Sequence, residues 1–157
     1  MLTNGSKPKS DFDVIIIGGG LAGLTASLIL RHHNKRVLVI EKKDYPHHRV
    51  CGEYVSNEVL PFLKSLGFDP FKYGAMPITQ LRVSTPTGQN IFCPLDLGGF
   101  GISRYTMDYT LFKLAQQNGA VVITKNKVID VAFDNEKFTV KTNTNEAFTA
   151  PVVLGSY

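Results

Sequence analysis

The run Gly18-Gly19-Gly20-Leu21-Ala22-Gly23 constrains this chain more than any other stretch. It follows Val14 to Ile17, a continuous β-branched run of the kind that forms a strand covered on both faces, as in a parallel sheet. It leads into Leu21, Leu24 and Leu28, apolar positions at helical spacing that continue until Asn34. "RVLVIEKK", Arg36 to Lys43, then reads as a second buried strand ending in charge. Strand, glycine turn, helix and strand make one βαβ unit.

The glycines satisfy G-x-G-x-x-G, and each has a mechanical task at that spacing. Gly18 permits the sharp turn off the strand, Gly20 lets backbone amides approach a pyrophosphate, and Gly23 lets the helix lie close to the sheet. The helix starting there directs its unpaired N–H groups and the positive end of its dipole at that pyrophosphate. Glu41 stands at the tip of the next strand, about twenty residues past the loop, where a carboxylate can accept hydrogen bonds from an adenosine ribose. Its charge repels a 2′-phosphate, which disfavours NADP here. The fingerprint itself leaves NAD and FAD both open.

The remaining elements are less regular. "SNEVLPFLKSLG" reads as a short helix capped by Ser56 and stopped by Gly67, with Pro61 dividing it into a kink or two turns. "ITQLRVSTPTGQNIFCPL" alternates around Thr87-Gly88 as a β-hairpin. A second strong helix is expected over Met107 to Asn118, with Ser103 or Thr106 near its start, Gly119 beyond its end, and Met107, Leu111, Leu114 and Ala115 facing inward. "AVVIT" is a strand, and "KVIDVAFDNEKFTVKTNTNEAFTAPVVL" reads as two or three antiparallel strands turning at residues 134–136 and 143–145. "VVLGSY" has the look of a buried strand entering a glycine turn, so a longer protein is expected, of which this chain is a part. The fold class is therefore α/β: a Rossmann-like parallel sheet with flanking helices and an antiparallel β insertion. The first ten residues form a flexible tail, and a single nucleotide-binding domain, incomplete at its C-terminus, occupies residues 11–157.

Composition narrows the alternatives. With 157 residues, 43% of them hydrophobic and 19% charged, the chain has the make-up of one globular domain. Its net charge of +4 favours an anionic ligand weakly, and no stripe of basic and aromatic residues marks a nucleic-acid surface. Cys51 and Cys93 lack metal-ligand spacing, so neither a zinc site nor a disulfide framework is suggested, and a reduced, cytoplasmic setting fits. No apolar run reaches the roughly twenty residues that span a bilayer, and the Asn4-Gly5-Ser6 sequon reads as accidental. The adjacent pairs His32-His33 and His47-His48 read as surface residues, Ser6, Ser56 and Ser103 lack a hydrolase nucleophile's context, and Phe62, Phe68 and Phe71 read as core. Asp96 and Glu53 are not fixed as an acid–base pair, and no residue is assigned as catalytic.

Taken together, "DVIIIGGGLAGLTASLIL", "VLVIEKK", "HHRVCGEYVS" and "GISRYTMDYTLFKLAQQNGA" resemble FAD-dependent oxidoreductases of the geranylgeranyl reductase type, within the wider group of aromatic hydroxylases and flavin-dependent halogenases. The likeness runs from Asp11 to Tyr157 and is strongest at the glycine loop and at "RVCGE". It implies FAD as the cofactor, held by Gly18, Gly20, Leu21, Ala22, Gly23, Glu41 and Lys42. It also implies that Arg49 and Cys51 lie beside the cofactor. Alone, Arg49 reads as a solvated loop cation, and with the resemblance as a guanidinium holding a phosphate or ribose oxygen. Cys51 reads as a structural thiol packed near the flavin. Arg104, beside the glycine-rich "LGGFGIS", matches a helix-opening arginine that clamps the diphosphate or ribose, and Val128 a strand position whose backbone meets the adenine. The implied activity is hydride or electron transfer through FAD, with NAD(P)H as a candidate donor and an isoprenoid or lipid-like small molecule as substrate. Peripheral membrane contact stays open. The alternatives are an FAD-dependent aromatic monooxygenase, an NAD-dependent dehydrogenase, and a non-catalytic fragment.

Overall fold

The computed structural model describes residues 12–157. The expected tail, the sequon, Ser6 and Asp11 lie outside the described residues. In chain order the elements are β1 (Val14–Ile17), α1 (Leu21–His32), β2 (Val37–Ile40), β3 (Tyr54–Ser56), α2 (Leu60–Ser65), β4 (Met76–Ser84), β5 (Asn90–Gly101), α3 (Arg104–Gln117), β6 (Val121–Ile123), β7 (Val128–Asp134), β8 (Lys137–Thr142), β9 (Ala147–Ala150) and β10 (Val152–Gly155). Short 3-10 turns cover Asn57–Val59 and Pro70–Tyr73. The described chain divides into two compact units, one comprising the chain up to His47 together with Asp108–Tyr157, the other His48–Met107.

The first unit is built on a parallel sheet of order β10-β1-β2-β6. Numbered by their succession within this sheet, the strands run third, second, first, fourth, which is the beginning of the doubly wound order. The order reverses between β1 and β10, and in such sheets that reversal opens a crevice beyond the strands' carboxyl ends. β1 and β2 are covered on both faces, which is why they are apolar throughout. On one face Ile15, Leu38 and Ile40 form a buried cluster with Val140, Phe148 and Ala150 of the antiparallel sheet β7-β8-β9. On the other, Val14, Ile16, Val37 and Val39 pack with Ala26 and Leu30 of α1. β7 and β8 turn through Asn135 and Glu136, both at positive φ, as a tight antiparallel turn demands.

β10 departs from the expected buried strand. Val152 and Leu154 are exposed; in register with Val14 and Ile16, they lie on the face where Ala26 and Leu30 of α1 pack over β1 and β2, and β10 pairs through β1 alone among the described strands.

The second unit is an antiparallel sheet of order β3-β5-β4. The hairpin is longer than the alternation indicated, and turns where Gly88 adopts φ +88. β3 was not expected from the sequence; three half-exposed residues carry no periodic signal. It pairs with the glycine-rich end of β5, Tyr54 opposite Gly101 and Ser56 opposite Gly99. "LGGFG" is therefore strand, and its glycines have a packing cause: a Cβ on Gly99 would run into the Tyr54 ring, whose hydroxyl donates to the Gly98 carbonyl at 3.2 Å.

Around Pro61 the chain makes the expected two pieces, a 3-10 turn capped by Ser56 Oγ, which accepts from the Glu58 N–H, and then α2 with Pro61 in its first turn. Of the three phenylalanines expected in the core, Phe68 is fully buried, whereas Phe62 and Phe71 are exposed. α3 begins three residues before the expected Met107, and Ser103 Oγ accepts from the Thr106 N–H at 3.2 Å. Its buried face carries Met107, Leu111 and Ala115 as expected, but Leu114 is only half-buried. Asp108, a charged residue of the same helix, is 1% exposed.

Candidate functional site: the glycine turn and its carboxylate

The site begins where β1 ends. The Gly18 N–H donates to the Ile40 carbonyl at 2.9 Å and the Ser156 N–H to the Ile17 carbonyl at 2.8 Å, so the carboxyl ends of β2, β1 and β10 converge on the turn. Gly18 has φ +107, and a Cβ there would meet the Ser156 backbone. A Cβ on Gly23 would collide with the Gly18 carbonyl, which is the close approach of helix to strand that the spacing indicated.

Gly20 differs from both. It is the N-cap of α1, with no side-chain hydrogen bond to the helix end and no acidic residue in the first turn. A Cβ built on it meets nothing within 4 Å. The first N–H groups of an α-helix have no partner within the helix, and Leu21, Ala22 and Gly23 supply them here. A helix terminus with open space before it and no capping side chain suits an anion.

Glu41 faces this turn. It is 3% exposed, its Oε2 accepts from the Gly19 N–H at 2.7 Å, and its Oε1 accepts from the Lys43 N–H at 2.9 Å. An ionised carboxylate offers about four lone-pair sites, of which these two bonds use two. The segment after β2 is fastened to the loop after β6. The Glu41 N–H donates to the Ile123 carbonyl at 2.8 Å, the Lys125 N–H to the Lys43 carbonyl at 3.2 Å, and Lys125 Nζ lies 2.6 Å from Asp44 Oδ2. That lysine holds the Asp44 carboxyl below its usual range, first through the side-chain hydrogen bond.

The structure therefore brings Gly18, Gly20, Leu21, Ala22, Gly23 and Glu41 together. Lys42 follows Glu41 with its side chain exposed. Val128 opens β7 half-buried and packs on the cluster of Ile15, Leu38 and Phe148, so its side chain is core. Arg49, Cys51 and Arg104 belong to the second unit. Arg49 and Arg104 are half-buried. Cys51 is exposed, its Sγ accepting from the Glu53 N–H at 3.4 Å. His32, His33 and His48 are exposed as expected, whereas His47 is half-buried against Tyr45. Among the described residues no group of three or more His, Cys, Asp or Glu side chains is placed to hold a metal. No helix among them is long and apolar enough to cross a membrane.

Two participants were invisible to spacing. Gly19 is a free position in the G-x-G-x-x-G pattern, yet it is the one Glu41 binds. Tyr45 lies in a loop that read only as polar and His-rich, and its hydroxyl donates to the Gly19 carbonyl.

A glycine turn closed by a carboxylate at the point where sheet order reverses is the arrangement of dinucleotide-binding flavoproteins and dehydrogenases alike, and comparison with known proteins decides between them. The profile of the pyridine nucleotide-disulphide oxidoreductase family matches residues 12–154. This chain belongs to that family. Over 128 residues it is 31% identical to the putative FAD-dependent oxidoreductase LodB of Marinomonas mediterranea, covering 76% of this chain and 34% of that protein. Over 133 residues it is 31% identical to the digeranylgeranylglycerophospholipid reductase of Methanoculleus marisnigri, covering 81% and 32%. Among solved structures, the halogenase PltM in complex with phloroglucinol and FAD superposes with a TM-score of 0.77 at 18% identity, covering 93% of this chain and 34% of that one. At that identity the likeness establishes the fold. The chain spans about a third of the length of these relatives.

Proposed function

We propose that this chain is the FAD-binding portion of a flavin-dependent oxidoreductase, and that the crevice at the end of β1 takes the ADP half of the cofactor. The observation that carries the reading is the pairing of the open, uncapped N-terminus of α1 at Gly20 with the Glu41 carboxylate fastened to the preceding peptide. The Leu21, Ala22 and Gly23 amides hold the diphosphate, and Glu41 accepts from the adenosine ribose. Lys42, Arg49, Cys51, Arg104 and the backbone of Val128 are the further cofactor contacts that the family resemblance suggests, and residues 11–157 are the extent of the nucleotide-binding region. When bound, FAD supplies two-electron transfer between a donor such as NAD(P)H and the substrate. The chain's own residues bind it, orient it and keep water from the diphosphate.

An isoprenoid or other lipid-like substrate is the first reading, supported by the reductase from Methanoculleus marisnigri. An aromatic substrate is the second, supported by the likeness to the halogenases. An NAD-dependent dehydrogenase calls for alternating βα units after Gly67, and the hairpin of β4 and β5 stands there instead. Exposed, unpaired Cys51 and Cys93 accord with a reducing, cytoplasmic setting.

The test is to purify the intact gene product, record its visible spectrum and titrate the stripped protein with FAD and with NAD. A flavin absorbance band, or FAD affinity well above NAD affinity, is the expected result. A colourless protein that binds NAD and ignores FAD overturns the reading.

A further inference from the structure

Both polar groups of the Gly19 residue are taken by side chains from the segment after β2. Its N–H donates to Glu41 Oε2, and its carbonyl accepts from the Tyr45 hydroxyl. Gly18, Gly19 and Gly20 are all glycines, so the peptides joining them rotate at little steric cost unless something else fixes them. A trans peptide is planar, and its C=O and following N–H point in opposite directions. Drawing the Gly19 carbonyl toward Tyr45 therefore turns the Gly20 N–H the opposite way.

Tyr45 is held for this task. Its ring is 9% exposed and stacks on Phe112 with centroids 4.4 Å apart and planes 14° from parallel. Its own N–H donates to Asp44 Oδ1 at 3.0 Å, and Asp44 is paired with Lys125. A Cβ on Gly19 would run into the phenol oxygen and lie 3.1 Å from Glu41 Cβ. Gly19 is glycine in this chain because of the tyrosine, whereas Gly20 has open space about it.

We infer that Tyr45 is a positioning residue, which by its hydroxyl fixes the Gly19-Gly20 peptide and aims the Gly20 amide at the diphosphate. The inference rests on the dinucleotide reading above. It assigns Tyr45 no contact with the ligand: the phenol acts through the peptide, so only ligands that carry the diphosphate feel its loss.

The test compares wild-type intact gene product, stripped of flavin, with Tyr45→Phe, measuring FAD and ADP by titration and adenosine by ligand-observed NMR. One neutral hydrogen bond corresponds to about a three- to tenfold change. Tyr45→Phe is expected to weaken FAD and ADP by that factor and to leave adenosine unchanged, whereas Glu41→Ala weakens all three. Unchanged ADP affinity, or an equal loss for adenosine, overturns the inference while leaving the dinucleotide site intact. A wild-type protein that binds neither FAD nor ADP removes the site itself. Should Tyr45→Phe not fold, Phe112→Leu, which withdraws the ring that holds the phenol, is read by the same ligand comparison and the same outcomes.

Discussion

The backbone N–H of Asn126 donates to the carbonyl of Glu41 at 3.0 Å. The asparagine side chain, 4% exposed, is held in turn from the β8–β9 turn, donating to Thr144 Oγ1 at 3.1 Å and to Glu146 Oε2 at 3.0 Å. The antiparallel meander is thus tied through Asn126 to the backbone of Glu41. Asn126→Ala removes the side-chain bonds to Thr144 and Glu146, while Thr144 Oγ1 keeps its bonds to Thr142 and Glu146. It is expected to destabilise the protein by about 1–3 kcal/mol, read as a lowered urea midpoint with an unchanged slope.

Gly20 and Gly23 differ in what surrounds them, open space at the one and the Gly18 carbonyl at the other. Gly20→Val places its side chain where nothing stands within 4 Å, so the melting temperature should stay close to wild type while FAD affinity falls at least about a hundredfold, the diphosphate's place being filled. Gly23→Ala drives a methyl into the Gly18 carbonyl and should lower the melting temperature before any ligand is added. Wild-type FAD affinity in Gly20→Val, by flavin fluorescence titration, would refute the assignment of the crevice.

Glu41→Gln keeps the shape of the side chain and removes its charge, and its amide offers one acceptor oxygen where the carboxylate offers two. One of the two bonds from Gly19 and Lys43 is lost and the other loses its charge assistance. The expected cost is about 1.5–3 kcal/mol of stability, by chemical denaturation, together with weaker adenosine binding.

Acid should loosen the segment after β2. Asp44 is held below its ordinary value by Lys125, and a depressed folded-state value means that the pair stabilises above the unfolded carboxyl's titration and is lost as pH falls through the folded one. The stability difference between wild type and Asp44→Asn is therefore expected in full at pH 7 and should shrink below about pH 4. Melting curves of both proteins at pH 7 and pH 3 test the sign. A difference that grows on acidification contradicts it.

The glycine loop, Glu41, β1, both long helices and the hairpin were legible because each rests on a local signal: periodicity, a spacing, or a turn residue. What escaped was decided by distant partners. β3 is too short for periodicity and exists because Gly99 leaves room for Tyr54. The packing role of the glycines in "LGGFG" depends on the strand opposite them. Phe62 and Phe71 read as core residues but lie on the short helix α2 and a 3-10 turn, exposed to solvent. Tyr45 and Asn126 reach the site through single hydrogen bonds across many residues, and no spacing rule encodes those.

The register that sets Val14 beside Val152 and Ile17 beside Gly155 has a cost in time. During synthesis β1 and β2 emerge early, yet the second flank of β1 has no native neighbour until the residues of β10 are made, on the order of ten seconds later at ordinary elongation rates. Through that interval a β-branched edge stands unpaired, the condition under which nascent chains aggregate or engage chaperones. Expression yield should therefore respond to growth temperature and translation speed more sharply than the stability of the finished fold would suggest.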